Sequence, residues 1–196
     1  SRTDEIDAQG ELLRVYDFPP LATSDHAHIR FRDLVVIFHP CVAVFGVIRR
    51  EILERTPRIA AYVGADRVLL AELGLYGRFH EVPEVLFHRR IHLGNSIWMA
   101  QRGALLAWYD PRLSGRLNFP NWRILGELAM SVSRVPLSWP ERARCWMQLP
   151  QHIKERRRPL REDLVSGLRL RLARIKPLRS VFRAVRARVE RTRDGV

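Results

Sequence analysis

Between Gly64 and His92 the hydrophobic pattern changes its period, and no other stretch of the 196 residues limits the fold as tightly. Leu69, Leu73 and Tyr76 recur at i, i+4 and i+7, which predicts a helix bracketed by Gly64 and Gly77 with Asp66 in its first turn. From Val85 to His92 the period is two. Val85, Phe87, Arg89 and Ile91 fall on one face of a strand, and Leu86, His88, Arg90 and His92 on the other. Phe79 to Val82, stopped by Pro83, reads as a further short strand. Alternating strand, helix and strand predict an α/β layer.

The flanking segments extend that layer. Glu11 to Phe18 is expected as a strand, Pro19 to Asp25 as a loop, and His26 to Val36 as a helix. Cys41 to Ile48 is β-branched and aromatic, which predicts a buried strand in which Gly46 marks a close approach by a ligand or a neighbouring backbone. Arg49 to Arg55 reads as a short helix.

After Ser96 the pattern is helical, with segments Ile97 to Trp108, Asn121 to Arg134 and Pro140 to Ile153 separated by Pro111, Pro120 and Pro136. Two amphipathic stripes follow, Leu164, Val165, Leu168, Leu172 and Ile175, then Leu178, Val181, Phe182, Val185 and Val189, joined at Pro177. The five tryptophans, Trp98, Trp108, Trp122, Trp139 and Trp146, are expected as packing residues between helices. The organisation read from these patterns is an α/β region over residues 1–110 and a helical, Arg-rich extension over 111–196.

Charge distinguishes the two regions. The chain carries a net +13, and residues 154–196 hold 15 basic against 5 acidic residues, nearly all of the basic ones arginine. Nucleic acid is a poor match for that tail, because Phe182 is its one aromatic and stacking platforms are missing. An anionic membrane surface or a partner protein fits two apolar stripes flanked by arginine, and the alternative is that the stripes pack back on the rest of the chain with arginine in solvent.

No transmembrane helix is predicted, since the apolar run Leu34 to Ile48 is broken by His39 and Pro40 and falls short of the ~18 residues a span needs. Ser1 to Gly10 has no secretory pattern, and the absence of Met at residue 1 suggests a trimmed or incomplete chain. Cys41 and Cys145 are far apart and form no CxxC pair, which argues for a reducing, cytoplasmic setting.

The chemistry gathers where helix meets strand. Asp66 at a helix start is favoured as the anion by the macrodipole and the free N–H groups, and an anion facing a cleft can take a proton from a hydroxyl. The same position suits a plain capping residue. Arg90 and His92 share the polar face near the strand's C-terminal end, where open α/β sheets bind ligands. His88 and His92 cannot hold one zinc ion, because four strand residues separate their origins by ~13 Å. His26 and His28 read as loop residues without Cys or Glu partners.

These residues carry a resemblance. FGVIRREIL (Phe45 to Leu53) and RTPRIAAYVGADRVLLAELGLYGRFHEVPEVLFHRRIHLGNS (Arg55 to Ser96) resemble the C-terminal half of a family 2 glycosyltransferase catalytic domain, and the opening SRTDEIDAQGELL resembles the stretch after its Asp-x-Asp motif. The resemblance implies a partial GT-A-like, Rossmann-like sheet with helices, followed here by the helical basic extension. It also implies inverting transfer of a sugar from a nucleotide-sugar donor to a hydroxyl of a glycan, lipid-linked or other acceptor. Asp66 falls at the family's catalytic base, His92 at a late ligand to the divalent ion (Mn²⁺ or Mg²⁺), Arg90 beside the diphosphate, and Gly46 at the small residue near the acceptor. The donor-binding N-terminal half, with its Asp-x-Asp, is absent from this chain. The piece alone is therefore expected neither to bind nor to turn over a nucleotide sugar. The alternative is a non-catalytic basic helical module that binds a membrane surface or a partner protein, peripheral to the membrane in either case.

Overall fold

A computed structural model of the protein describes residues 1–16, 19–92, 109 and 118–174. The expected segment from Ile97 to Trp108, the second amphipathic stripe, Trp98 and Trp108 lie outside the described residues.

The sheet has three strands, β1 (Arg2–Ile6), β2 (Leu12–Tyr16) and β3 (Val85–Arg90), in the order β2-β1-β3. β1 and β2 form an antiparallel hairpin, and β3 runs parallel to β1. The architecture is thus mixed α/β. β3 keeps the period read from its sequence, half-buried and exposed residues alternating along its length. Phe87 on the half-buried face stacks on Phe45, ring centroids 5.0 Å apart.

β1 has no apolar stripe to announce it. Its inward residues are Thr3 and Glu5, and Glu5 is 7% exposed because Arg14 of β2 (2.7 Å) and Arg89 of β3 (3.2 Å) pair with its two oxygens. In the register these are its direct neighbours on either side. Cross-strand pairing of opposite charges thereby supplies what hydrophobic alternation supplies in most half-buried strands.

Helices build the rest. α1 (Ala27–Val36) is followed by the short α2 (Arg50–Leu53) and lies against α3 (Ala65–Tyr76), and α1 and α3 share one core with α4 (Pro120–Arg134) and α5 (Trp139–Trp146). Phe31, Leu34 and Val35 of α1 meet Val68, Ala71 and Leu75 of α3, Leu128 and Val132 of α4, and Cys145 of α5. Each large apolar side chain fully buried there contributes about 1.5–3 kcal/mol relative to exposure. Two glycines set how near the helices come. A Cβ on Gly74 would meet Leu34 Cδ1 at 2.5 Å, and one on Gly64, whose φ of +84° is left-handed, would meet Ile124 Cδ1 at 2.6 Å. Arg30 is buried between α1 and α3, its guanidinium donating to the carbonyls of Ser24, Asp25, Gly74 and Leu75.

Several expectations are corrected. Cys41 to Ile48 is not a strand: Val42–Phe45 forms a 3-10 turn. Cys41 adopts a left-handed conformation (φ 57°) directly after Pro40, and the N–H groups of Val44 and Gly46 close onto the carbonyls of Cys41 and Ala43, so no row of groups is left for a ladder. Gly46 is exposed at the end of that turn. Phe79 to Val82 is not a strand either. Phe79 N–H bonds the carbonyl of Ala22, and Arg2 N–H bonds that of Val82. The helix expected over Pro140 to Ile153 is two, α5 and α6 (Leu149–Glu155), with Pro150 in the first turn of the second. Proline lacks the N–H that a continuous helix would need, and its ring opposes the carbonyl four residues earlier. Trp139, expected in packing, is 70% exposed. His26 and His28, expected in a loop without acidic partners, open α1, and His28 pairs with Glu141 across 113 residues of sequence. That separation hides the partner from any local reading.

The last described helix, α7 (Arg157–Arg174), docks through an acid. Asp163, 0% exposed, accepts from the backbone N–H of Asn121 (2.7 Å) and from its side-chain amide (2.9 Å), at the entrance of α4. Phe119 at the cap position of α4 has no side-chain oxygen to offer, so a carboxylate from another helix satisfies those donors. The docked face of α7 therefore carries Leu160 and Asp163, while Leu164 (51% exposed) and Leu168 (60% exposed) face away. Of the first stripe, Leu164, Val165 and Leu168 are thus exposed.

Candidate functional site

The parallel pair fixes one edge of the site. Ile91 N–H bonds the carbonyl of Ile6 (2.7 Å), so the C-terminal ends of β1 and β3 coincide and deliver the Asp7 turn, Arg90 and His92 to the same end of the sheet. The Asp7 carboxylate accepts from the N–H groups of Gln9, Gly10 and Glu11 at 2.8–2.9 Å. Those backbone bonds hold its pKa below the ordinary carboxylate value. Arg90 Nη1 donates to the carbonyls of Asp7 (3.0 Å) and Ala8 (2.8 Å), so the guanidinium is tied to the hairpin turn. His92 is exposed just beyond β3. Asp4, opposite His88 in the register, has one carboxylate oxygen buried without a hydrogen-bond partner.

Asp66 stands in a different group. It is half-buried in the first turn of α3 behind left-handed Gly64, and its Oδ1 accepts from the N–H of Arg67 (2.8 Å). Near it the carbonyls at the C-terminal end of α1 collect side-chain donors. His39 Nε2 donates to the Leu34 carbonyl (2.9 Å), Arg67 donates to the carbonyls of Leu34 (3.3 Å) and His39 (3.0 Å), and His152 Nδ1 donates to that of Val35 (2.7 Å). Basic groups at a helix C-terminus satisfy orphan carbonyls and complement the dipole.

The electrostatics follow from that crowding. Burial, reinforced by the charge on Arg67, pulls His39 below the ordinary histidine value, and burial does the same to His152. His39 Nδ1 meanwhile accepts from the N–H of Cys41 (3.3 Å), so both ring nitrogens are engaged in the neutral form. Burial pushes the Cys41 thiol up to about 11, with Asp66 adding in the same direction. Tyr109 is raised by burial and then by the charge of Asp66. Asp66 thus shares a neighbourhood with His39, Cys41, Arg67 and Tyr109.

Of the residues singled out by sequence, the structure places Arg90 and His92 together at the sheet end and Asp66 at the entrance of α3. Gly46 lies exposed on the 3-10 turn, where the nearest atom to an added Cβ is the carbonyl of Ala43 at 3.2 Å. The contact spared by this glycine is local. Among the described residues no group of three ligand-bearing side chains includes His92, so they do not form a cage for a divalent ion there. Sequence reasoning missed His39, Arg67 and the partnership of His28 with Glu141. His39 next to Pro40 and Cys41 was the only local hint. Comparison with protein-family models, with curated proteins and with solved structures gives no match.

Proposed function

We propose that the chain supplies the acceptor-activating part of a glycosyltransferase site, with Asp66 as the base. In this reading the carboxylate takes the proton from an acceptor hydroxyl while that oxygen attacks the anomeric carbon of a nucleotide sugar. The bond to the diphosphate breaks on the opposite face, and configuration inverts. Arg90, anchored on the Asp7 turn, offers positive charge towards the departing diphosphate. His92, exposed at the same end of the sheet, would offer one imidazole to a divalent ion, but the described residues supply no further ligands beside it.

The observation that supports this reading is the order of elements. A helix that opens with Asp66 returns through a short connection to a strand parallel to β1, and that strand ends in Arg90 and His92. Ligands of open α/β sheets gather at such C-terminal strand ends. The test uses the full-length gene product, with uridine- and guanosine-diphosphate hexoses labelled in the sugar and Mn²⁺ present. Asp66→Asn is expected to lower transfer at least about a hundredfold with an unchanged circular dichroism spectrum. Transfer within about threefold of wild type removes Asp66 from the role of base.

A second reading is favoured by one surface. Leu164, Val165 and Leu168 are exposed on α7 and flanked by Arg161 and Arg169, which suits an anionic membrane surface. No helix among the described residues is long and apolar enough to cross a membrane, so contact would be peripheral. In co-sedimentation with vesicles of phosphatidylglycerol and phosphatidylcholine, the double variant Leu164→Gln, Leu168→Gln is expected to lose at least about 80% of wild-type binding. Equal binding by both proteins removes the membrane contact.

A further inference from the structure

The first turn of α1 and the first turn of α5 bring together three side chains with metal-ligand chemistry. His26 precedes α1, and its N–H bonds Ser24 Oγ (3.2 Å). His28 lies two residues on, inside the first turn, and the two rings are 5.6 Å apart between centroids. From α5, Glu141 places its carboxylate against His28, with Nδ1 at 3.0 Å from Oε1 and 2.9 Å from Oε2. One ligand atom each from His26, His28 and Glu141 lies within 4.8 Å of the other two.

We propose that His26, His28 and Glu141 form a zinc site that clamps α5 onto the start of α1, with water in the fourth position. Four points carry it. Two imidazoles and a carboxylate are a donor set that suits Zn²⁺ better than the hard cations Mg²⁺ and Ca²⁺. In a tetrahedral zinc site with bonds of about 2.0–2.1 Å, ligand atoms stand ~3.3 Å apart. His28 and Glu141 are near that spacing, and His26 has only to swing inward. His26 is exposed, so its ring is at liberty to rotate about its side-chain bonds. The carboxylate is already oriented from behind, because Arg144 Nη1 holds Oε1 (2.9 Å) and the backbone N–H of His28 reaches Oε2 (3.2 Å). Supporting hydrogen bonds of that kind fix ligand geometry in metal sites.

The site is independent of the sugar-transfer reading, since neither Asp66 nor Arg90 takes part. Its test uses the 196-residue chain without a histidine tag and zinc chloride as the only added ligand. Calorimetric titration is expected to give one Zn²⁺ per chain with a Kd below about 50 µM, and Tm is expected to rise with zinc as mass action requires. Co²⁺ in place of zinc is expected to give the intense visible absorption of a tetrahedral site. His26→Ala and His28→Ala should each weaken zinc binding at least about tenfold, and Glu141→Gln should abolish the zinc-dependent rise in Tm. His80→Ala, an exposed histidine elsewhere, should bind as the wild type does. If His28→Ala fails to fold, His26→Ala decides alone. A Kd weaker than that limit, or binding by His26→Ala unchanged from wild type, overturns the proposal and leaves His28 and Glu141 as an ion pair only.

Discussion

Replacing Arg134 with alanine is expected to cost about 3 kcal/mol of folding stability, read as a lower urea midpoint at unchanged slope. Glu72 is the reason. Its carboxylate is 1% exposed in the middle of α3, and Arg134 Nη2 (2.6 Å), Arg134 Nε (3.2 Å) and Ser131 Oγ (2.8 Å) are its donors. The bond to Glu72 correspondingly pushes the Arg134 guanidinium above its ordinary pKa. Without Arg134 the carboxylate stays buried with one hydroxyl for company.

Breaking a buried pair by removing one partner costs about 3–5 kcal/mol, and the lower end applies because Arg134 is 29% exposed and its loss lets water reach the acid. The paired variant Glu72→Leu, Arg134→Leu should recover most of the loss, since neither partner then remains charged and unpaired. A loss below about 1 kcal/mol for Arg134→Ala, or a paired variant as unstable as the single one, would contradict this account.

The second large effect is on pH. Stability is expected to be flat between about pH 7 and 8 and to fall as pH drops below about 6.5, through His39 and His152. Both have pKa values lowered in the native state by burial, from an ordinary value of 6.5. As pH falls through 6.5 the unfolded chain takes up protons on these two residues and the native chain does not, so protonation favours unfolding. The slope reaches at most about 1.4 kcal/mol per pH unit for each histidine, until the folded-state values are passed.

Glu141 acts in a separate window. Burial works to raise it, but hydrogen bonds from the His28 ring and backbone and from Arg144 outweigh that and bring it down to about 2. Its contribution is present above the ordinary 4.5 and is lost between there and about 2. Urea midpoints measured from pH 7.5 to 5.5 in wild type and in His152→Gln separate the histidines from the carboxylate. A midpoint independent of pH over that range, or an unchanged slope in the variant, would refute the assignment to buried neutral imidazoles.

What the sequence disclosed and what it withheld divide along the range of the interactions involved. α3 and β3 were legible because their periods are written in consecutive residues, and Asp66 was legible because a helix entrance has a local signature. β1 was hidden, since Glu5 is buried by virtue of Arg14 and Arg89, nine and 84 residues away. The apolar residues of α7 left open whether the stripe docks or faces outward; the docking is made by Asp163 reaching the start of α4, which no hydrophobic pattern encodes. Cys41 to Ile48 has the composition of a strand but meets no partner edge, and its backbone closes on itself. At the candidate site, Arg90 and His92 were placed together by strand alternation. Arg67 lies beside Asp66 in its own segment, whereas His39 comes from the chain after α1 and could not be read from that segment.

The charge ladder across the sheet bears on self-association. Either flank of β1 is a strand whose residue in the Glu5 row is an arginine, so an identical sheet arriving edge to edge would confront positive charge with positive charge. Indiscriminate growth of the sheet is thereby discouraged.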